Sequence, residues 1–194
     1  MIVHTWGEVA YEQAREMMQD VHSLALEDKK NHLICCSHPN VFTVGSDEKE
    51  RFCVDVVSSD RGGSITCHSP GQSIFYFCFQ VANPVKFYKK VLSAFEDFFI
   101  ENLADVFYDK KQAGFYIQNR KIASLGFRYS KGVSLHGVAL NVDVDLDFHA
   151  KVPPCNLENI VPTSLHNEGV MLTQQEVNRQ IVALLAKSFD DALL

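Results

Sequence analysis

Apolar residues recur every three or four positions in three segments, which is the spacing of an amphipathic helix. The first segment covers residues 8–29. The second begins at Asn83 and Pro84, which are typical of a helix N-cap and first turn. The third begins at Thr173-Gln-Gln-Glu176, a capping box. The apolar positions expected to face the core are Tyr11, Ala14, Met18, Val21 and Ala25, then Val85, Tyr88, Leu92, Phe95 and Phe99, then Val177, Ile181, Leu184 and Leu185.

Short apolar runs bounded by glycine, proline, asparagine or serine predict strands between these helices. The predicted strands are residues 2–5, 33–36, 41–44, 54–57, 64–67, 74–81, 114–117, 121–129 and 134–142. Residues 143–159 lack such a run and are predicted to be mostly loop. We therefore expect an α+β fold, with residues 1–194 forming a single domain whose mixed, largely antiparallel sheet is flanked by helices.

Composition changes this picture little. With 194 residues and 46% apolar content, the chain can bury a substantial core without disulfide bonds. No stretch approaches the roughly 20 apolar residues of a membrane span, and the N-terminus does not have the pattern of a signal peptide. The six cysteines form no C-x-x-C pair, so a reduced, cytoplasmic location without a metal site is expected.

Charge is distributed unevenly along the chain. The formal net charge of −6 argues against a general nucleic-acid binder. Residues 86–131 nevertheless contain nine basic residues and five acidic ones. This segment is either a solvated surface or a docking patch for an acidic protein partner.

Two residues are candidates for acyl chemistry. Cys155 follows two prolines in a predicted loop, and a nearby base would convert its thiol into the nucleophilic thiolate. Lys121 begins the apolar run that continues to Phe127. Burial there would lower the pKa of the lysine and make it a general base, whereas the alternative is an exposed lysine after a turn.

Glycines and histidines mark the remaining candidate positions. Gly62 and Gly63 permit positive φ or a close approach of the backbone to a ligand. His68 and His136 lie near predicted strand ends, where each is either a core histidine or part of a site. Cys67 and His68 have no second pair at zinc spacing.

Three motifs in the same order resemble the octanoyltransferases of protein lipoylation, also called the lipoate-protein ligase B family. The family pattern is approximately R-G-G-x-x-T-x-H-G-P-G-Q, then K-I-A-x-x-G-x-R with x-H-G-x-A-L-N-V, then P-C-G with T-S-L. The corresponding stretches here are residues 61–72, 121–128, 135–142 and 153–165, and the resemblance covers roughly residues 33–165.

The resemblance implies the fold of the biotin and lipoate protein ligase catalytic domain. It implies octanoyl transfer from octanoyl-acyl carrier protein to lipoyl domains of 2-oxoacid dehydrogenase and glycine cleavage proteins, with no cofactor, nucleic acid or membrane. Cys155 would be the acyl-thioester nucleophile and Lys121 its base. The residues implied to line the acyl site are Arg61, Gly62, Gly63, Ser64, Ile65, Thr66, Cys67, His68, Ser124, Leu125, Gly126, Gly137, Val138 and Ala139, with His136 as a secondary candidate.

Five positions depart from the family pattern. They are Ser37 for glutamate, Cys67 for tyrosine, Ser69 for glycine, Asn156 for glycine and Pro162 for valine. Three alternative functions remain open. An ATP-dependent lipoate ligase needs no cysteine nucleophile, an amidotransferase shares the thiol chemistry, and an acyl-binding module would have no activity.

Overall fold

The computed structural model describes residues 1–46, 53–152 and 160–190. The helices are α1 (Tyr11–Asp28), α2 (Pro84–Asn102), α3 (Leu146–His149) and α4 (Gln174–Asp190). The strands are β1 (Ile2–Glu8), β2 (His32–Ser37), β3 (Val41–Val44), β4 (Val56–Ser58), β5 (Ile65–His68), β6 (Gln72–Cys78), β7 (Phe107–Asp109), β8 (Gly114–Ile117), β9 (Arg120–Ser130), β10 (Val133–Asn141) and β11 (Val161–Pro162).

Within the described residues, the strands form two sheets. The larger sheet has the order β1-β2-β6-β10-β9-β8-β7, with β11 beside β9, and the smaller has the order β4-β3-β5. In the larger sheet β1 runs parallel to β2 and β11 parallel to β9, whereas the other pairs are antiparallel. The predicted mixed, largely antiparallel sheet is confirmed. The separate small sheet was not predicted, because local alternation does not identify a strand's pairing partner.

Helices cover both faces of the larger sheet. Ala14, Met18, Val21 and Ala25 of α1 pack against one face. Helices α2 and α4 pack on the opposite face, where Val177, Ile181 and Leu185 of α4 are fully buried. The predicted capping box is present, since the backbone N–H of Thr173 donates to the Glu176 carboxylate and the backbone N–H of Glu176 to the Thr173 hydroxyl.

The predicted buried face of α2 is partly wrong. Phe95 and Phe99 are buried as expected, but Val85 is 64% exposed, and Tyr88 and Leu92 are only partly buried. The other buried residues of α2 are Phe87, Val91, Ala94 and Phe98. Apolar side chains occur on more than one face of this helix, so helical spacing alone did not identify the face that meets the sheet.

Three short elements also differ from the prediction. Strands β7 and β11, with three and two residues, are too short to produce a readable alternation. Helix α3 lies in the segment predicted to be mostly loop. The Asp145 carboxylate caps it by accepting the backbone N–H groups of Asp147 and Phe148. This cap holds the single turn that carries His149.

Candidate active site

Two cavities lie next to each other between the small sheet and the larger sheet. The first, which we call the acyl cavity, encloses about 370 Å³ of empty space, a figure that includes the open solvent at its mouth. Its lining residues are Tyr11, Arg61, Thr66, His68, Ile74, Tyr76, Ser124, Leu125, Gly126, His136, Gly137, Val138 and Ala139. The segments 124–126 and 137–139, which the family resemblance implied, therefore lie on the neighbouring strands β9 and β10 at one site.

Close backbone packing shapes the acyl cavity. A Cβ atom on Gly137 would lie 2.0 Å from the carbonyl oxygen of Phe75, and one on Gly126 would lie 3.0 Å from that of Gly62. A side chain at position 137 is therefore excluded by the neighbouring strand, and one at 126 would press on the turn above it. The turn itself is tied to β9, since the Gly62 N–H donates to the Phe127 carbonyl over 3.3 Å.

Arg61 connects the small sheet to the acyl cavity. It is 8% exposed, and its guanidinium donates to the carbonyl and the hydroxyl oxygen of Thr43 over 2.9 and 3.0 Å. Gly63 has φ +86°, the left-handed backbone that its glycine permits. Gly63 and Ser64 do not line either cavity. They pack instead beside Gly45, whose N–H donates to the Ser64 carbonyl.

The histidines of the acyl cavity have lowered pKa values. Burial, with a smaller contribution from His38, moves the pKa of His68 well below its usual value. Its Nδ1 lies 2.8 Å from Gln72 Oε1. Burial and nearby arginines lower the pKa of His136 to about 3. A neutral His136 whose Nε2 carries the proton can donate to Asp60 Oδ1, 2.7 Å away.

The second cavity, which we call the lysine cavity, encloses about 440 Å³ of empty space, open solvent included. Its lining residues are Ile65, Thr66, Cys67, Gln72, Lys121, Ser124, Asn141, His149, Val152 and Pro162. Thr66 and Ser124 line both cavities and so lie between them. A ligand long enough to pass these two residues would contact both the apolar and the polar site.

Lys121 is buried, so the alternative of an exposed lysine after a turn is wrong. It is 6% exposed, and its Nζ donates to the Gln112 carbonyl over 3.4 Å and lies 5.5 Å from the centre of the Tyr116 ring. A Cβ on Gly114 would lie 2.7 Å from Lys121 Cε. The missing side chain at Gly114 therefore makes room for the lysine to lie across β8.

An amide network joins the two cavities. Gln72 Nε2 donates to Asn141 Oδ1 over 2.8 Å, and Asn141 Nδ2 donates to the Thr163 carbonyl over 2.8 Å. The Thr163 N–H donates in turn to the Lys121 carbonyl over 2.9 Å. These bonds, together with the bond from His68 to Gln72, fix the strand position of Lys121 relative to the acyl cavity.

Cys67 and His149 supply further polar groups in the lysine cavity. Burial raises the pKa of the Cys67 thiol to about 12, so this cysteine is a protonated thiol at neutral pH. Burial lowers the pKa of His149 to about 4, and its Nε2 lies 2.9 Å from Ser69 Oγ. Ser69, one of the departures from the family pattern, thus has a specific partner in this chain.

Several lining residues were not singled out from the sequence. Gln72 and Asn141 lie inside the quoted motifs, so their position in the motifs was an available signal. Tyr11 lies on the buried face of α1, and His149 lies in a segment predicted to be loop. Local sequence gives no reason to place either at the site, because long-range packing brings them there.

Cys155 and Asn156 lie outside the described residues, so the predicted contact between Cys155 and Lys121 stays a prediction. Across the described ranges, no group of three or more His, Cys, Asp or Glu side chains is arranged to hold a metal ion. Among the helices in those same ranges, none is long and apolar enough to cross a membrane.

Comparison with known proteins confirms the family resemblance. The family model described as "Lipoyl protein ligase A/B catalytic domain" matches residues 10–186. The chain is 33% identical over 197 residues to an octanoyltransferase of Pseudomonas savastanoi, covering 96% of this chain and 89% of that protein. It is 32% identical over 193 residues to an octanoyltransferase of Psychromonas ingrahamii, covering 95% and 89%.

Solved structures confirm the expected fold. A T. acidophilum protein with bound lipoic acid has a TM-score of 0.74 at 14% identity, covering 97% of this chain and 86% of that chain. The lipoate complex of P. falciparum LipL1 has a TM-score of 0.73 at 12% identity, and this chain spans 63% of its length and is itself 98% covered. The biotin protein ligase of Aquifex aeolicus has a TM-score of 0.60 at 13% identity, covering 98% and 71%.

Proposed function

We propose that this chain, which belongs to the lipoyl protein ligase A/B catalytic domain family, transfers an octanoyl group from octanoyl-acyl carrier protein to a lysine of a lipoyl domain. The acyl group would pass through a thioester on Cys155. The observation that carries the proposal is the buried Lys121 in a polar cavity that shares two lining residues with the acyl cavity. Residues 1–194 would act as one catalytic domain.

The position of Cys155 in the chain supports its role. Val152 and Pro162 both line the lysine cavity and lie on either side of Cys155 in the sequence. Because both flanking residues line the cavity that holds Lys121, we propose that the Cys155 thiol reaches Lys121. Cys67, which lines the same cavity, is disfavoured as the nucleophile because its thiol remains protonated.

The first half-reaction forms the acyl-enzyme. The unprotonated Lys121 amine accepts the Cys155 thiol proton, and the thiolate attacks the donor's thioester carbonyl. The bond from the acyl carbon to the carrier sulfur then breaks. The carrier thiolate takes the proton from Lys121 and leaves as a thiol. One thioester replaces another, so the step is nearly thermoneutral and requires no ATP.

The second half-reaction forms the amide. The amine of the acceptor lysine attacks the acyl carbon on Cys155, and the bond from that carbon to the Cys155 sulfur breaks. Lys121 accepts the proton lost by the attacking amine, and the Cys155 thiolate is protonated again. The acyl tail would stay in the acyl cavity throughout, with its carbonyl beside Thr66 and Ser124, where the two cavities meet.

The acceptors would be lipoyl domains of 2-oxoacid dehydrogenase and glycine cleavage proteins. An ATP-dependent ligase activity is less well supported. The solved structures reported above, which include a biotin protein ligase, are 12–14% identical to this chain, whereas the octanoyltransferases above are 32–33% identical to it.

Intact-mass measurement tests the proposal. After incubation with octanoyl-acyl carrier protein, the wild-type chain should gain one octanoyl mass that hydroxylamine removes and that transfers to an added lipoyl domain. Cys155→Ser should lose the hydroxylamine-sensitive adduct, whereas Cys53→Ser, at an exposed cysteine, should keep it. A hydroxylamine-sensitive adduct that persists in Cys155→Ser would assign the nucleophile to another cysteine.

A further inference from the structure

An exposed groove lies along one side of α2, on the same face of the larger sheet as α4. We call it the α2 groove; it holds about 920 Å³ of empty space, open solvent included. Its lining residues are Pro84, Val85, Tyr88, Lys89, Leu92, Tyr108, Lys110, Ala113 and Tyr129. These include Val85, which helical spacing had wrongly predicted to face the core, and Tyr88 and Leu92, which pack against the core but are only partly buried. The chain therefore leaves apolar side chains on the surface, with Val85 64% and Tyr129 39% exposed.

The two sides of the α2 groove both carry positive charge. Lys89 stands on α2, and Lys110 stands in the turn between β7 and β8. The first turn of α2 has no acidic residue, although the helix dipole favours one there. Asp109 directly precedes Lys110 in the sequence. Its carboxylate accepts hydrogen bonds from the backbone N–H groups of Lys111 and Gln112, which hold it at the hairpin turn.

Several other basic residues of segment 86–131 have different roles. Arg120 forms a bidentate ion pair with Glu168, and Arg128 pairs with Asp60. Lys121 lies in the lysine cavity. The positive excess read from the sequence is therefore not one uniform patch, and the α2 groove combines two of its lysines with exposed apolar side chains.

The hairpin turn between β7 and β8 connects the α2 groove to both cavities. Ala113 lines the groove, and its carbonyl accepts the N–H of Leu125, which lines the acyl cavity. The neighbouring Gln112 carbonyl accepts Lys121 Nζ. A protein bound in the groove would thus sit against the same turn that contacts the proposed general base.

We propose that the α2 groove docks an acidic amphipathic helix of the protein that donates the acyl thioester, a proposal that rests on the proposed function. A helix with an apolar stripe would lay that stripe on Val85, Tyr88 and Leu92. Acidic side chains on both flanks of the stripe would then meet Lys89 on one wall and Lys110 on the other. The net charge of −6 would otherwise repel an acidic partner, so these local lysines set where it binds.

Binding and chemistry are measured separately in the test. The probe for binding is acyl carrier protein with its pantetheine arm and no acyl group, titrated by calorimetry at low and high salt. The test variant is Lys89→Glu/Lys110→Glu. The matched control is Lys29→Glu/Lys30→Glu, which makes the same charge change at the end of α1, on the opposite face of the sheet. Thermal unfolding establishes that each variant is folded.

The test variant should lose about tenfold in affinity for the carrier protein at low salt and less at high salt, because exposed charges are screened. The control should bind like the wild type. Acylation of Cys155 by a small octanoyl thioester reports on the proposed function independently, and it should proceed at the wild-type rate in the test variant. Unchanged affinity, or lost affinity for a lipoyl domain with the carrier protein unaffected, would overturn the docking proposal.

Discussion

The acyl cavity and the lysine cavity lie next to each other, yet different kinds of chemical groups line them. The acyl cavity is lined by glycines and aliphatic side chains together with two tyrosines, Arg61 and two histidines, His68 and His136, whose pKa values are lowered by burial. The lysine cavity is lined by amide, thiol, imidazole and amine groups. Among its described lining residues, Lys121 is the sole lysine or arginine. Under the proposed function, binding of the acyl chain and proton transfer would fall to separate walls that meet at Thr66 and Ser124.

This separation predicts that changes in the two cavities have different kinetic signatures. A change in the lysine cavity should alter the rate for every acyl chain equally, because the reacting atoms are common to all substrates. A change in the acyl cavity should alter the preference among chain lengths, because a pocket discriminates between substrates through the groups that differ. The predictions below separate these two behaviours.

The largest effect is expected for Lys121→Met, which removes the amine and keeps most of the side-chain length. Loss of a general base typically costs about 10²–10⁴-fold in rate. Acylation of Cys155 and transfer to the lipoyl domain should both slow by such a factor, equally for butanoyl and octanoyl donors. Single-turnover mass measurements report both steps. Lys111→Met, at an exposed position in the adjacent hairpin turn, is the control, and equal slowing in both variants would refute a specific role for Lys121.

Much of the fold could be predicted from local patterns. Helical spacing predicted α1, α2 and α4, and the capping box located the start of α4 to within one residue. The buried face of α2 could not be assigned, because phenylalanines and aliphatic residues occur on more than one side of it. The small sheet was missed for a related reason: strand patterns show which residues are extended but not which strands they join.

The candidate site was predicted mainly from the family motifs, and less from the spacing of apolar and polar residues along the chain. Segments 124–126 and 137–139 were expected to lie together because they occur in the family motifs, and their antiparallel pairing brings them to one cavity. Gly63 and Ser64 were expected at the acyl site, but they pack against the backbone of Gly45 instead. His149 was missed because its position depends on a cap by Asp145 and on contact with Ser69, which is distant in sequence.

Enlarging a residue of the acyl cavity should produce the second largest effect. Ala139→Leu adds three carbon atoms at a buried position on the cavity wall. Each methylene misfit typically changes selectivity by about 10–200-fold, so the preference should shift by at least that factor from octanoyl toward butanoyl thioesters. Competition between the two donors, measured by intact mass, gives the ratio directly. Ala104→Leu makes the same substitution at an exposed site, and a uniform rate loss without changed preference would contradict the division of roles.

The smallest effect concerns acid stability, and it tests whether burial in the lysine cavity lowers the pKa of His149. Burial lowers the pKa of His149 to about 4, below the ordinary value of about 6.5. The unfolded chain therefore binds a proton at this site in the interval from pH 6.5 to 4, where the folded protein does not. The contribution of His149 to the free energy of unfolding has its full value above pH 6.5. It falls by about 1.4 kcal/mol per pH unit as the pH drops toward 4.

His149→Phe should remove that part of the pH dependence, as measured by urea unfolding at intervals between pH 7 and 4.5. Ser69→Gly separates titration from hydrogen bonding, because it deletes the hydroxyl beside His149 Nε2 and leaves the buried imidazole in place. It should lower stability by about 1 kcal/mol at pH 7, the usual net value of one hydrogen bond. The steep acid slope should persist in Ser69→Gly, since burial, rather than the serine, is the main cause of the lowered pKa. A slope that flattens equally in both variants would show that the hydroxyl, and not desolvation, keeps His149 neutral.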